Sequence, residues 1–270
     1  MKFADYKSYL SPALAKTTDL VIKSGSGCYL TAENGDKYLD FVQGIAVNAL
    51  GHCHPRIVEA IKGQAEKLID ASFNLVSYPT TLEFARRLAE LTPGDMNVTF
   101  FSNGGSEAND GAIKLAKAYT GRPAVIAFRG SFHGRTMGAT SITGSNAKYR
   151  KHYEPLMGGV YFAPYPNPYR WGQNGADDET CSKEALKELQ IIFDQLISPE
   201  DVAAIIIEPV LGEGGYVVPP KSYIQSLRKI CTENGILLMF DEIQSGYGRT
   251  GKMFASEHFG VVPDIMTLGK

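Results

Sequence analysis

The chain has 270 residues, of which 44% are hydrophobic and 21% charged, as in one large globular domain or a domain with small appendages. Its 27 basic and 29 acidic residues give a net charge of -2, so charge provides no general attraction to nucleic acid or to an anionic membrane. The longest apolar runs, 203–207 and 236–240, suit buried strands and are too short to span a bilayer.

The amino terminus and the cysteines both favour a cytoplasmic location. Residues 1–5 lack the apolar core and small-residue cleavage site of a secretory signal. None of the four cysteines forms a Cys-x-x-Cys pair, which is typical of reduced thiols. The run His52-Cys53-His54 suggests zinc, but adjacent residues rarely converge on one metal. We therefore predict a turn before Pro55 and no metal site.

The first predicted element is a small β-rich segment over residues 1–54. Asn34-Gly35 separates the apolar runs 29–30 and 38–42. Because Asn-Gly accepts the positive φ angles of a tight turn, this spacing predicts a β-hairpin.

From Pro55 onwards the pattern predicts a large α/β domain over 55–270. Two helices come first, and strands then alternate with helices, which indicates a mostly parallel sheet covered by helices. Residues 164–181 are predicted to form a long surface loop. The predicted strands lie near 97–102, 123–128, 159–163, 203–208, 236–240 and 264–268, and the predicted helices near 55–70, 79–92, 105–120, 182–197 and 220–233.

Two glycine-containing motifs follow the first two of these strands. Asn103-Gly104-Gly105-Ser106-Glu107 opens the helix at 105–120, where glycines permit close backbone approach and the helix N-terminus favours an anion such as phosphate. Ser131-Phe132-His133 follows the strand at 123–128. An aromatic ring there can stack on a flat heteroaromatic cofactor, whereas the simpler interpretation is a packed phenylalanine and a surface histidine.

Acidic residues and a lysine follow the later strands. Glu208 and Glu213 flank a glycine-rich loop after an apolar strand, and Asp241 follows five apolar residues. An acid at such a position needs a cationic partner, and a pyridinium nitrogen is one. Lys270, also at a strand end, could form an imine if burial lowers its pKa. A domain seldom ends at this edge of its sheet, so we expect the chain to continue beyond Lys270.

Five motifs together resemble the class III pyridoxal-5'-phosphate (PLP) dependent aminotransferases of the 4-aminobutyrate, ornithine and acetylornithine type. The similarity runs from about residue 25 to residue 270. It implies an α/β fold of the PLP-dependent transferase fold type I, as in aspartate aminotransferase, with a C-terminal domain that is missing from this chain. It also implies a homodimer or dimer of dimers that acts on small-molecule amino acids and keto acids. The motifs are 103–109, 131–136, 208–215, 240–251 and 263–270.

The resemblance assigns a role to each candidate site residue. Lys270 resembles the family's Schiff-base lysine, and Asp241 resembles the acid that pairs with the pyridine nitrogen. Glu213 resembles a carboxylate that pairs with a substrate-gating arginine, which is expected beyond residue 270. The other matched positions are Gly105 and Ser106 at the phosphate, Phe132 and Ile243 on the two ring faces, Gln244 at the phenolic oxygen, His133 and Glu208 as supporting residues, and Ile45 in the substrate pocket.

Parts of the sequence also suggest three other functions. An amino-acid racemase of the same family shares the cofactor motifs, and the sequence does not separate it from a transaminase. A PLP-fold protein without activity is disfavoured because Lys270 and Asp241 are both present. A P-loop nucleotide-binding protein is suggested by Gly246 to Lys252 after an apolar strand, but Met253 lacks the hydroxyl that magnesium requires.

Overall fold

The computed structural model describes residues 2–14, 16–172 and 174–270. They form two compact units, Met1–Tyr78 and Pro79–Lys270. The boundary that we predict at residue 54 stays a prediction. The first unit contains strands β1 (Ile22–Ser26), β2 (Tyr29–Ala32) and β3 (Lys37–Leu39), a four-residue helical turn α1 (Gln43–Ala46) and helix α2 (Pro55–Ala65).

The predicted hairpin is confirmed in the first unit. Strands β2 and β3 pair antiparallel, with Thr31 opposite Lys37. Gly35 in the turn has φ +92°, a backbone conformation that a side chain would strain. Strand β1 completes a three-stranded antiparallel sheet in the order β1-β2-β3. The sequence did not predict β1, because its residues Ile-Lys-Ser-Gly-Ser do not alternate between apolar and polar.

The second unit is built on a five-stranded parallel sheet in the order β5-β4-β6-β7-β8. This confirms the predicted mostly parallel α/β architecture. The strands are β4 (Ala124–Phe128), β5 (Val160–Ala163), β6 (Val202–Ile207), β7 (Leu237–Asp241) and β8 (Ile265–Thr267). The helices are α3 (Pro79–Leu91), α4 (Gly105–Thr120), α5 (Met137–Ile142), α6 (Asp178–Gln195), α7 (Lys221–Asn234) and α8 (Ser256–Phe259).

Helices cover both faces of this sheet. Every residue of β6 is buried, and its side chains are divided between two apolar clusters. Ile205 belongs to the cluster that contains Leu189 of α6 and Leu227 of α7, whereas Ile206 belongs to the cluster that contains Ile113 of α4. Each such buried side chain stabilises the fold by about 1.5–3 kcal/mol. The sheet is therefore a rigid central layer.

The predicted strand at 97–102 is wrong. Residues 97–102 have no regular secondary structure, and the side chains of Val98 and Phe100 are 92% and 83% exposed. A strand needs a neighbour for its backbone hydrogen bonds, and no strand of the described chain pairs with this segment.

The predicted loop at 164–181 is too long. Helix α6 begins at Asp178, because the Asp177 side chain caps it by accepting a hydrogen bond from the Thr180 N–H at 2.7 Å. The short helix α5 was not predicted.

The strand order places a crevice at the carboxyl edge of the sheet. From β4 the chain moves outwards to β5 and then crosses back to β6 on the other side of β4. The loops that follow β4 and β6 therefore leave in opposite directions and open a cleft between them, which is where open α/β sheets bind ligands. Four of the five predicted motifs lie at the ends of β4, β6, β7 and β8 at this edge, whereas the motif at 103–109 follows no strand and opens α4.

Candidate active site

A buried carboxylate lies at the end of β7. The side chain of Asp241 is 4% exposed, and its Oδ2 atom lies 2.7 Å from His133 Nδ1 and 2.8 Å from Asn109 Nδ2. Its Oδ1 atom accepts a hydrogen bond from the Ile243 N–H at 3.1 Å. Because an ionised carboxylate only accepts hydrogen bonds, His133 Nδ1 carries a proton in this pair. Three donors thus offset the cost of burying the charge.

A second buried carboxylate bridges the cleft. Glu208 is 5% exposed; its two oxygens accept hydrogen bonds from the Phe132 N–H at 2.8 Å and from the Gly212 N–H at 2.9 Å. It therefore joins the loop after β4 to the loop after β6. Burial raises the pKa of Glu208 to about 7; His133 opposes this increase and Asp241 adds to it. Near neutral pH this group exchanges its proton.

The raised pKa makes the stability of the cofactor-free protein depend on pH. Glu208 titrates near 7 in the folded chain and near 4.5 when unperturbed. Its stabilising contribution is complete below pH 4.5 and is lost as the pH rises towards 7. We expect the free energy of unfolding to fall by about 3 kcal/mol over this window through this group. Denaturant titrations at several pH values measure it.

The control for this prediction is Glu208→Gln, which cannot titrate. The difference in free energy of unfolding between the wild type and this variant should change across pH 4.5–7 and stay constant from pH 7.5 to 9. A difference that is constant over both ranges would contradict the assignment of the titration to Glu208.

The amino terminus of α4 lies at the same edge, next to Ile243 and the loop after β4. The first N–H groups of a helix have no partner within the helix, and they attract anions. Gly105, the first residue of α4, packs against Ile243, and a Cβ added to Gly105 would lie 2.7 Å from Ile243 Cδ1. A side chain at this position would therefore displace Ile243.

Ser106 ties the helix terminus to the loop after β4. Its Oγ accepts hydrogen bonds from the N–H groups of Arg135 and Thr136, both at 2.9 Å. Gly134 approaches so closely that an added Cβ would lie 2.2 Å from Ser106 Oγ, and its φ is +130°. The glycine in this motif is therefore required by contact and by conformation.

Ile243 and Gln244 contact residues of three other segments of the site. Ile243 also packs against Gly269, where an added Cβ would lie 3.2 Å from Ile243 Cγ2. Gln244 Nε2 donates to the Tyr216 hydroxyl at 3.4 Å, and its Oε1 lies beside Gly212, where an added Cβ would approach it to 2.4 Å. The residues beside Lys270 and at the start of α4 thus contact the same side chain.

Lys270 lies one residue beyond Gly269. Burial lowers the pKa of its amine, Asp241 and Glu208 oppose this decrease, and Arg249 adds to it. A lower pKa increases the fraction of the amine that is unprotonated and nucleophilic.

Aromatic and charged side chains surround Phe132. Its ring packs edge-on against Tyr149, with centroids 5.1 Å apart, and the Arg135 guanidinium carbon lies 5.7 Å from the Phe132 centroid. Glu213 accepts hydrogen bonds from the hydroxyl groups of Ser145 at 3.0 Å and Tyr149 at 2.6 Å. The predicted pairing of Glu213 with an arginine beyond residue 270 stays a prediction. Ile45 belongs to the first unit, and its predicted place in the substrate pocket also stays a prediction.

Sequence reasoning missed several residues of this site, including Asn109, Arg135, Tyr149 and Thr267. Asn109 could have been found, because it lies four residues after Gly105 and therefore on the same face of α4. Thr267 lies within the motif at 263–270, but nothing in the sequence indicates that it bonds to Asn109 or that Tyr149 bonds to Glu213, because both contacts depend on the packing of distant segments.

The structure disfavours the P-loop alternative. Gly246 to Lys252 form a series of turns, and the next helix, α8, has only four residues. Glu242 is buried and accepts hydrogen bonds from the N–H groups of Ala255 and Ser256 at 2.7 and 2.8 Å, so it anchors a loop.

Over residues 2–14, 16–172 and 174–270, no group of three His, Cys, Asp or Glu side chains could hold a metal. Within the same ranges no helix is long and apolar enough to cross a membrane.

Comparisons with known proteins agree with this geometry. The family model described as aminotransferase class-III matches residues 11–270. Acetylornithine aminotransferase of Methanopyrus kandleri is 44% identical over 91% of this chain and 57% of its own length. Alanine/serine racemase of Pyrococcus horikoshii is 39% identical over 98% of this chain and 57% of its own.

A solved structure of an omega transaminase from Pseudomonas jessenii, in complex with PMP, superposes with a TM-score of 0.91 at 32% identity. The superposition covers 99% of this chain and 62% of the transaminase chain. The chain therefore spans about three-fifths of the length of these relatives.

Proposed function

Because the chain belongs to the class-III aminotransferase family, whose members depend on PLP, we propose that the whole protein transfers an amino group from an amino donor to a keto acid. The observation that carries this proposal is the buried, hydrogen-bonded carboxylate of Asp241, which lies opposite Thr267 in the pairing of β7 with β8, three residues before Lys270. Suitable donors are ω-amino acids such as 4-aminobutyrate, or ornithine-like amines. Suitable acceptors are 2-oxoglutarate and pyruvate.

The donor set of the site fits PLP. The amino terminus of α4 suits its phosphate, and Gly105 supplies the close backbone approach that a larger residue would block. Asp241 offers a buried negative charge to the ring nitrogen, and Lys270 offers an amine of lowered pKa. Phe132 and Ile243 would contact the two faces of the ring, and Gln244 would bond the phenolic oxygen. Ser106 would support the phosphate, and His133 and Glu208 would support Asp241.

The residues of this chain divide the chemistry among them. Bound PLP supplies an electron sink that stabilises negative charge on the substrate carbon. Lys270 would hold the cofactor through its amine and, when that amine is free, would take up and deliver the substrate proton as general base. Asp241 would keep the ring nitrogen protonated. Arg135, beside the Phe132 ring, provides a cation at the mouth of the site for a substrate carboxylate.

The proposal is tested by incubating the PLP-loaded protein with single amino donors and either 2-oxoglutarate or pyruvate. Formation of the donor's keto product, stoichiometric with a new amino acid, is expected. The 39% identity to the Pyrococcus horikoshii alanine/serine racemase supports racemisation as a second candidate. Loss of optical activity from alanine or serine without any keto-acid exchange would favour that candidate instead.

Glu213 provides a prediction about substrate choice. The arginine that we expect beyond residue 270 cannot suit both a donor with a remote amine and an acceptor with two carboxylates. It can serve both only if the Glu213 carboxylate pairs with it when the donor binds and moves away when the acceptor binds. Glu213→Ala should therefore slow the half-reaction with 4-aminobutyrate by about tenfold and the half-reaction with glutamate by less than about threefold. Single-turnover absorbance measurements with each donor compare the two.

The control for this experiment is Glu257→Ala, because Glu257 lies at the amino end of α8 and its carboxylate accepts a hydrogen bond from the Phe254 N–H. Equal effects of Glu213→Ala on both donors, or no effect on either, would rule out the screening role and leave the cofactor site unaffected.

Assembly and location complete the proposal. We propose a homodimer, following the family, and a cytoplasmic location. All four cysteines have free thiols, which is compatible with a reducing compartment. Light scattering of the purified protein measures the assembly: a mass of two chains supports the dimer, and a mass of one chain contradicts it.

A further inference from the structure

Asn109 is a buried side chain that connects four elements around Asp241. It is fully buried on α4 and makes three side-chain hydrogen bonds. Its Nδ2 donates to Asp241 Oδ2 at 2.8 Å and to the backbone oxygen of His133 at 2.7 Å. Its Oδ1 accepts a hydrogen bond from Thr267 Oγ1 at 2.8 Å. Thus one amide joins α4, the loop after β4, the end of β7 and strand β8.

The partners permit only one orientation of this amide. The His133 backbone oxygen and the Asp241 carboxylate can only accept, so both N–H bonds of Asn109 point to them. Its Oδ1 must then face Thr267, whose hydroxyl acts as the donor. Every hydrogen-bonding site of the Nδ2 group is used, and exchange of the amide O and N would bring acceptors against acceptors.

The same network limits how Asp241 can bind a ligand. A carboxylate offers about four acceptor positions. Asn109 and His133 use two on Oδ2, and the Ile243 N–H uses one on Oδ1. The remaining position, on Oδ1, is left for a donor that the described chain does not supply.

We infer that Asn109 is a positioning residue that fixes the Asp241 carboxylate so that Oδ1 receives the ring N–H of the cofactor. This inference rests on the proposed function, because it takes PLP as the ligand. Asn109 also joins Thr267, three residues before Lys270, to helix α4, whose amino terminus would bind the phosphate. One side chain would thereby fix the relative positions of the groups that hold the ring nitrogen, the carbonyl carbon and the phosphate of the cofactor.

The test uses Asn109→Asp, which keeps the size of the side chain and an acceptor for Thr267 but removes both N–H donors. A second carboxylate beside Asp241 competes for the available protons and weakens the hold on a protonated ring nitrogen. We expect the dissociation constant of PLP to rise by about tenfold and kcat to fall by about thirtyfold. The KM for the amino donor should stay within about twofold, because Asn109 is fully buried and offers no surface to a substrate.

A spectroscopic readout separates positioning from general destabilisation. The pH at which the absorbance of the bound cofactor changes should move upwards by about one unit, because a ring nitrogen without its proton no longer repels a proton at the lysine nitrogen. The matched control is Asn234→Asp on α7, where Nδ2 donates to the Ile230 backbone oxygen at 2.9 Å, remote from Asp241. The control should leave this pH unchanged, whatever its effect on the melting temperature of the cofactor-free protein.

A second variant covers the case in which Asn109→Asp does not fold. Thr267→Val removes the donor that orients the Asn109 amide and keeps both Asn109 N–H groups. It should shift the absorbance in the same direction and weaken PLP binding by about threefold. The inference is overturned if the folded Asn109 variant matches Asn234→Asp in PLP affinity and absorbance, or, where that variant does not fold, if Thr267→Val matches the wild type. PLP affinity and absorbance can be measured without transamination. A wild type that binds PLP but exchanges no amino group would therefore contradict the proposed function and leave this inference standing.

Discussion

Replacing Lys270 by alanine should reduce amino-group transfer by about a thousandfold or more, since covalent attachment of the cofactor and proton transfer both need this amine. The variant should fold normally, because Lys270 lies at the open edge of the sheet and is not part of the apolar core. Keto-acid formation with excess PLP measures the loss.

The same variant should still bind PLP without a covalent bond. The phosphate site that we propose at α4 and the carboxylate of Asp241 do not involve the lysine side chain. Borohydride reduction should therefore fix the cofactor to the wild type and leave the variant unlabelled. Lys252→Ala, at an exposed turn nearby, is the control and should be labelled like the wild type. A Lys270→Ala protein that kept a tenth of the wild-type rate would show that the catalytic amine lies elsewhere.

The position of the candidate site could be predicted because its residues follow strongly apolar strands. Residues 203–207 and 236–240 could only be buried strands, so Glu208 and Asp241 had to lie at strand ends. Parallel strands joined by helices place all of these ends on one edge. Two features of the sequence, apolar runs and alternation with helices, were therefore enough to bring the acids and Lys270 together.

The connections within the site could not be predicted in the same way. The hydrogen bond between Asn109 and Thr267 joins residues 158 positions apart, and no local pattern encodes it. The segment 97–102 shows the opposite failure, because its β-forming residues suggested a strand whose pairing depends on a distant partner. Local patterns determine which segments can form strands, whereas pairing and side-chain networks depend on the whole chain.

Replacing Asp241 by asparagine should slow amino-group transfer by about a hundredfold or more, which corresponds to about 2.7 kcal/mol of transition-state stabilisation. The substituted side chain has nearly the same shape but no charge. To keep the contacts from Asn109 and His133 at the Oδ2 position, it must place its oxygen there and its NH2 group at the Oδ1 position. The new NH2 group then faces the Ile243 N–H and would face the ring nitrogen of the cofactor. The ring nitrogen would therefore lose its proton, and the ring would withdraw electrons less strongly.

Asp264→Asn is the matched control, because Asp264 precedes β8 at the opposite edge of the sheet, where Arg228 and the Leu238 N–H bind its carboxylate. Removing that charge disturbs a surface ion pair and should lower the stability slightly, with transfer rates within about twofold of the wild type. The rate with saturating donor and PLP distinguishes the two substitutions. In Asp241→Asn the hydrogen bonds to Asn109 and His133 survive, whereas the charge does not. A loss of less than about fivefold in transfer rate would therefore show that this carboxylate only anchors the loops around it.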